Sequence, residues 1–288
     1  MEITDLKVFM AVMEERSITR AAEKLDYVQS NITTRIRKIE SELGVLLFHR
    51  NPKGVIPTEK GLLFHKYASD ILAKVEEAVM AVREPDYPCG LLAIGIVETI
   101  ASSAPFIQAL SDFKSKYPEV SLSIITGTSP QNYEKVLNRQ LDGAFFTGEF
   151  DLSTLQVAHE LREEVFLLTA SGGTQSLASP DVANASWVVF PKGCPLRASS
   201  EDWVRSEGAE PANMIEISTL ETMLSCVRAG IGYTLLTKSA AALGDNRFHA
   251  YPVPERYQFA TTRLVSRKEQ FHSKAFAAFA NSVRAAGL

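Results

Sequence analysis

The chain has 288 residues, 45% hydrophobic and 22% charged, which is too long for one small core and ordinary for two or three folded units. No run approaches the roughly 20 apolar residues needed to cross a bilayer, and the acidic, amphipathic start MEITDLKVFMAVMEERS lacks the features of a secretory leader, so a cytoplasmic protein with no membrane partner is expected. Three cysteines (Cys89, Cys194, Cys226) without a CxxC spacing, and five scattered histidines, speak against a disulfide framework and against a metal centre.

The net charge of −4 is unevenly spread. Between Arg16 and Lys66, Lys and Arg outnumber Asp and Glu ten to five, so the acidic surplus is concentrated in the rest of the chain. A basic head on an acidic body fits a phosphate-contacting module joined to something that avoids nucleic acid.

Leu6, Phe9, Met10 and Met13 form the apolar stripe of a first helix. Ser17 is placed to cap a second, short helix with Ala21, Ala22 and Leu25 on its buried side. After a break at Asp26-Tyr27, residues 29–43 read as a third helix with Ile32, Ile36, Ile39 and Leu43 facing the core. Its other face carries Ser30, Thr33, Thr34, Arg37 and Lys38, short polar groups followed by cations. Two alanines that let helices cross closely, a short turn and a helix with a polar outer face make a helix-turn-helix, its second helix meant for the major groove. Leu47-Phe48-His49-Arg50, a turn Asn51-Pro52-Lys53-Gly54 and Val55-Ile56-Pro57 then read as a two-stranded wing.

The run SITRAAEKLDYVQSNITTRIRKIESELGVLLFHRNPKGVIPTEKG resembles the DNA-binding domain of LysR-type transcriptional regulators in its AAxxL, its Gln29, its IxxxIxxxE leading to ELGVxLFxR, and its T-x-x-G. The resemblance implies contacts to double-stranded DNA from Thr19, Gln29, Ser30, Asn31, Thr33, Thr34, Arg35, Arg37, Arg50 and Lys53. Two positions depart from the pattern. Val28 stands where many members have a capping residue, leaving Asp26 or Ser30 to cap, and Thr34 stands where arginine is common.

Thr58 is a good N-cap with Glu59 in the first turn, and no proline follows until Pro85, so a helix over 58–84 is expected. Phe64, Ala68, Ile71, Val75, Ala78 and Val82 alternate spacings of 4 and 3, a heptad seam that packs either on the chain's own body or on a second copy; the pairing of two copies is the reading adopted. Pro85-Asp86-Tyr87-Pro88-Cys89-Gly90 ends it and reads as a hinge.

Beyond the hinge, strands and helices alternate: strands at 91–97, 120–126, 143–146, 165–169, 187–190, 214–217, 233–236 and 258–266, and helices at 105–117, 131–140, 200–206, 220–229 and 271–284. Repeated βα units imply parallel sheets covered by helices. The expected organisation is therefore an all-α winged helix-turn-helix domain (1–57), a linker and dimerisation helix (58–84), a hinge (85–90) and an α/β effector domain (91–288). The resemblance implies that this last part is periplasmic-binding-protein-like, with one lobe at about 91–160 and 268–288, a second at about 161–267, and a ligand cleft between them.

Ligand groups belong at strand C-terminal ends and helix N-termini, where unbonded N–H groups collect. The candidates are Thr99, Ser102, Thr128, Ser129, Thr147, Cys194, Arg197, Ser218 and Thr219. Each Ser or Thr is as readily a helix cap as a ligand contact. Arg197 would pair an anionic effector or else a surface carboxylate.

The function expected is promoter binding modulated by a small, anionic effector, with no other cofactor and no metal. An enzyme built on Cys194 lacks a partner histidine motif; redox sensing through Cys194 and Cys226 is the alternative within the same family. The resemblance further implies a homotetramer assembled from dimers, and action through RNA polymerase.

Overall fold

A computed structural model describes residues 1–51, 54–83, 85–171, 180–241, 247–268 and 273–288, with the backbone alone at 50, 80 and 83. The chain divides into two compact units, Met1–Glu84 and Pro85–Leu288.

The first unit is built on three helices, α1 (Ile3–Glu15), α2 (Ile18–Lys24) and α3 (Gln29–Leu43), a hairpin of β1 (Phe48–Asn51) and β2 (Gly54–Pro57), and a long helix α4 (Glu59–Arg83). Ser17 caps α2 as expected, its hydroxyl accepting the Arg20 N–H. Asp26 takes a left-handed turn conformation (φ 55°) instead of capping, and α3 starts at Gln29 behind Val28 with no side-chain cap. Ile32, Ile36 and Ile39 are buried among Phe9, Val12, Ala21 and Ala22, while Leu43, expected in the core, is exposed. It sits one residue before Gly44 ends the helix.

Asp5 is wholly buried at the N-terminus of α1, where it completes a capping box with Glu2. Arg35 reaches it from α3 at 2.6 Å and Lys38 at 3.1 Å. Burial is the largest influence on the Asp5 carboxyl and pushes it up; the Glu2 N–H, Lys38 and Arg35 together outweigh it and hold the group below the ordinary 3.8.

The hairpin and α4 are locked to this core by backbone contacts that explain the T-x-x-G signature. Thr58 donates its hydroxyl to Leu46 O, its N–H to Leu47 O, and accepts the Gly61 N–H. Any Cβ on Gly61 would lie 2.1 Å from Leu47 O, so only glycine lets α4 lie this close. Glu40 accepts the N–H groups of Leu47 and Phe48 and so fixes the approach to β1.

Two members of the expected seam on α4 belong to the first unit's own core: Ala68 is fully buried there and the Phe64 ring lies 4.8 Å from that of Phe9. The other four expected members, Ile71, Val75, Ala78 and Val82, are exposed, and Leu63, Tyr67 and Val79 join them in the exposed apolar stripe.

The second unit has two lobes sharing one strand. β6 (Leu155–Ala170) is continuous for 16 residues. Its first part pairs with β11 (Phe259–Arg267), and β5 (Gly143–Thr147), β3 (Gly90–Ile96) and β4 (Val120–Thr126) complete that sheet. Its last residues pair with β9 (Thr234–Thr237) on one side and β10 (Phe248–Pro252) on the other. A bridge from Tyr233 to Trp187 adds β7 (Trp187–Val189) and its parallel neighbour β8 (Met214–Glu216).

Each sheet is covered on both faces. In the first lobe α6 (Ala104–Lys116) and α10 (Lys274–Ala285) pack on one side and α7 (Ser129–Leu137) on the other; the four-residue α5 (Glu98–Ala101) follows β3. In the second, α8 (Pro195–Ser206) and α9 (Leu220–Arg228) take opposite faces, so that Val188 and Leu236 point to one core, and Trp187 and Leu235 to the other.

Three expectations are corrected. The sheets are mixed, because β11 and β6 run antiparallel to their neighbours. Strand β11 is interior to the first lobe, so the second lobe ends near the crossing at 255–257 and not at 267. The first ten residues of β6, rich in charge, were not read as strand at all. The residues expected to begin the last helix, from Phe271, lie outside those described, and α10 is capped by Ser273. The 85–90 segment is fastened at its start, with Lys274 donating to Pro85 O (2.9 Å) and pairing with Asp86 (3.3 Å).

Replacing Asp5 with asparagine should lower unfolding free energy by about 2 kcal/mol at neutral pH, less than for a fully buried ion pair because Arg35 and Lys38 keep some water. The Asp5 pKa is depressed in the fold, so its contribution is complete above the ordinary carboxylate range and disappears as pH falls through the lowered value. Urea titrations of both forms from pH 7 to 3 should show the gap closing on the acid side.

Candidate nucleic-acid surface and ligand cavity

Helix α3 presents its N-terminal outer face to solvent. Gln29, Ser30, Thr34 and Arg37 are exposed and Asn31 and Thr33 half-buried, on the side away from Ile32, Ile36 and Ile39. Thr19 is exposed on α2.

Not every polar group on α3 is directed outward. Arg35 bonds Asp5 and so fastens α3 to α1, and its Nε donates to Asn31 Oδ1 at 3.0 Å, so that Asn31 holds the arginine in place. Thr34 donates its hydroxyl to Ser30 O at 2.9 Å and keeps its methyl and both oxygen lone pairs for a partner. Lys53 and the side chain of Arg50 lie outside the described residues, although β1 and β2 around them are paired as expected.

The hairpin is held against the α1–α2 turn: Val55 N–H donates to Arg16 O, and a Cβ on Gly54 would come within 2.5 Å of that oxygen. Such an arrangement can set a rigid polar helix face into a groove and hold a hairpin beside it.

In the second unit, the C-terminal ends of strands from both lobes converge on a cavity of about 350 Å³. Of the residues expected there, Thr99, Thr128, Ser129, Thr147, Cys194 and Ser218 line it. The end of β4 contributes Thr126 and the loop after it Gly127, and the loop after β7 contributes Phe190 and Pro191. Ser102 and Thr219 do not line it: Ser102 is the C-cap of α5, and Thr219 precedes α9 as its N-cap residue and donates its hydroxyl to Thr222.

Several lining hydroxyls are tied into the fold. Thr128 and Gln131 cap each other reciprocally at the start of α7, Ser129 accepts the Thr147 N–H, and the Thr147 and Thr262 hydroxyls lie 2.7 Å apart. These bonds fix the positions of the oxygens while leaving each hydroxyl further capacity.

Arg197 is corrected. It does not line the cavity, and its guanidinium is held in a network with Glu201 (2.8 Å), Glu216 (2.5 Å) and Phe190 O (3.2 Å), joining α8 to β8. The expected anion partner is thus neutralised by two carboxylates of its own chain.

The sequence reading passed over Glu98, next to Thr99 after β3. It lines the cavity, and its Oε1 accepts the N–H of Leu220, the first residue of α9 in the other lobe, at 3.1 Å. An acid directly after a buried strand was the signal available.

Burial, first among its influences, pushes the Cys194 thiol up, against the opposing pull of the Arg197 and Leu196 N–H groups and the Arg197 charge. A protonated thiol is a poor nucleophile and a poor peroxide trap. All three cysteines are free. Among the described residues there is no group of metal-ligating side chains, and no helix is long and apolar enough to cross a membrane.

Comparison with known proteins matches residues 3–62 to a family model described as "Bacterial regulatory helix-turn-helix protein, lysR family", and residues 85–287 to one described as "LysR substrate binding domain". The chain is similar to the HTH-type transcriptional regulator SoxR of Arthrobacter sp. (strain TE1826), with 38% identity over 99% of this chain and 97% of that one. It is also similar to the HTH-type transcriptional regulator GltR of Bacillus subtilis (strain 168), with 34% identity over 99% and 96%. Among solved structures, full-length OxyR from Pseudomonas aeruginosa shares the fold with a TM-score of 0.73 at 21% identity, over 99% of this chain and 95% of that one. CbnR in complex with its target DNA does so with a TM-score of 0.64 at 22% identity, over 99% and 100%.

Replacing Arg197 with alanine strands two carboxylates and a carbonyl at the α8–β8 junction. It should cost about 2 kcal/mol of stability while leaving ligand binding in the cavity within about threefold. Urea denaturation and calorimetry on the same variant check both parts.

Proposed function

This chain belongs to the LysR family of bacterial helix-turn-helix regulators, and from that premise we propose how its parts divide the work. The chain is a DNA-binding transcriptional regulator with an effector-binding domain, and not an enzyme. Helix α3 enters the major groove of a promoter and reads base edges through Gln29, Ser30 and Thr33, with Thr34 supplying a methyl contact. Thr19, Arg37, Arg50 and Lys53 meet phosphate, and Asn31 and Arg35 orient the helix.

The observation that carries the reading is the outward row Gln29, Ser30, Thr33 and Arg37 on a helix whose inner side is pinned to α1 through Arg35 and Asp5. A rigid polar face is what base readout requires.

We further propose that two copies pair through α4. Its exposed stripe includes Tyr67 (61% exposed) and Val82 (88%), more apolar surface than an isolated helix leaves in water. A two-fold pair sets two α3 helices for half-sites about one DNA turn apart or a multiple of it. A dimer of such dimers, contact with RNA polymerase and a place in the cytoplasm complete the proposal. The cavity between the lobes takes the effector and requires no other cofactor. Ligand held by both lobes changes how the effector domains pack, and so the spacing of the α3 helices on DNA.

The test is binding of the full chain to its own upstream intergenic DNA against random DNA over a range of salt. Selective, salt-sensitive binding is expected; failure to select any fragment from the whole genome, with and without effector candidates, refutes the reading. Within that assay Gln29→Ala or Thr33→Ala should cost about 1–3 kcal/mol on the specific site and little on random DNA. Arg37→Ala should weaken both alike and lower the salt slope by about one.

For the pairing, the double variant Ile71→Glu, Val75→Glu should sediment as a monomer and lose most promoter affinity. A dimer that persists places the interface elsewhere.

A further inference from the structure

The chemistry of the cavity wall narrows what the effector can be, on the reading that this cavity is the effector site. Among the described residues Glu98 is the one carboxylate in the lining, and no lysine, arginine or histidine lines it. The arginine nearest in sequence to the lining of α8, Arg197, is engaged by Glu201 and Glu216. The thiol of Cys194, the other ionisable lining group, is pushed toward its neutral form by burial.

Glu98 also alters the helix end across the cleft. The N-terminus of α9 would ordinarily favour an anion, but Glu98 already accepts the Leu220 N–H. An anionic ligand reaching this end of the cavity would face a carboxylate with no cation to offset it. One N–H leaves a carboxylate with most of its lone-pair directions open. Around it stand hydroxyls able to accept, among them Thr99 and Ser218, while Phe190 and Leu196 supply an apolar wall.

We propose that the cavity takes a small ammonium-bearing organic molecule, its N–H groups turned to Glu98 and its carbon skeleton against Phe190 and Leu196. An ammonium has three donors and no acceptor, matching a wall of one carboxylate and several hydroxyl oxygens. Glu98 is then a specificity-determining residue, and a ligand bound to it touches a group that already joins both lobes.

The experiment uses the full chain and matched probes that share a skeleton: benzylamine, benzoate and benzyl alcohol, then 1,4-diaminobutane, succinate and 1,4-butanediol. Affinities are measured by calorimetry, with thermal shift as a second readout, for wild type and Glu98→Gln. Glutamine keeps an oxygen for the Leu220 N–H, and an unchanged melting temperature without probe shows that the fold is preserved.

The expected result is that at least one amine binds wild type tenfold or more tightly than its carboxylate and alcohol counterparts, and that Glu98→Gln removes that preference. The wild-type comparison stands even if the variant folds poorly. Preference for a carboxylate or alcohol, or an amine preference that survives in Glu98→Gln, overturns the ligand class while leaving the cavity as the effector site. Absence of binding by all six probes overturns the class too, and promoter selection, measured separately, then decides whether the regulator reading falls with it.

Discussion

The second unit depends on one covalent constraint: β6 is a single strand built into two sheets. Sixteen residues in one extended run serve β11 at one end and β9 and β10 at the other. Neither lobe can form its sheet without it, so the lobes inherit a fixed direction from the same backbone. The return crossing near 255–257 closes the connection, after which β11 pairs with both β5 and β6. Strand ends from both sheets then meet where α5, α7, α8 and α9 begin, and the cavity is a consequence of that convergence.

The first unit solves a different problem, holding a short helix face still with a small core. Apolar packing of Ile32, Ile36 and Ile39 sets the depth of α3, but packing alone tolerates rotation. The ion pair from Arg35 to the buried Asp5 and the N–H bonds that Glu40 accepts from Leu47 and Phe48 are directional, and they act at the middle and toward the C-terminal end of α3. Polar groups buried with their partners supply the orientation that the apolar residues cannot.

Much of this was legible in the sequence where a local rule governs. Ser17 and Thr58 cap helices because the geometry of a helix start selects for a side-chain oxygen, and the isoleucines of α3 follow helical period. Six of the nine residues placed at the ligand site line the cavity, since strand ends and helix starts can be read from pattern. What escaped depends on distant partners. Arg197 meets Glu216 from β8, Arg35 meets Asp5 thirty residues away, and Phe64 and Ala68 are taken by the core of the first unit before any second helix can use them. From His159 to Glu164 the charged part of β6 alternates half-buried and exposed positions on the two faces of the sheet, a pattern its LREE composition conceals.

The contact from Glu98 to Leu220 bears on how a small ligand can influence so large a unit. A hydrogen bond to a charged group contributes on the order of 1.5–3 kcal/mol, and each 1.4 kcal/mol shifts an equilibrium about tenfold. On the proposed function, a ligand that strengthens or displaces that one bond would move the balance between lobe arrangements by about one to two orders of magnitude. The cores on both faces of each sheet lie apart from the Glu98–Leu220 contact, which sits in the cleft between the lobes. If the cavity is the effector site proposed above, regulation through it is a matter of differential contact with two lobes, and a ligand touching only one would bind without consequence.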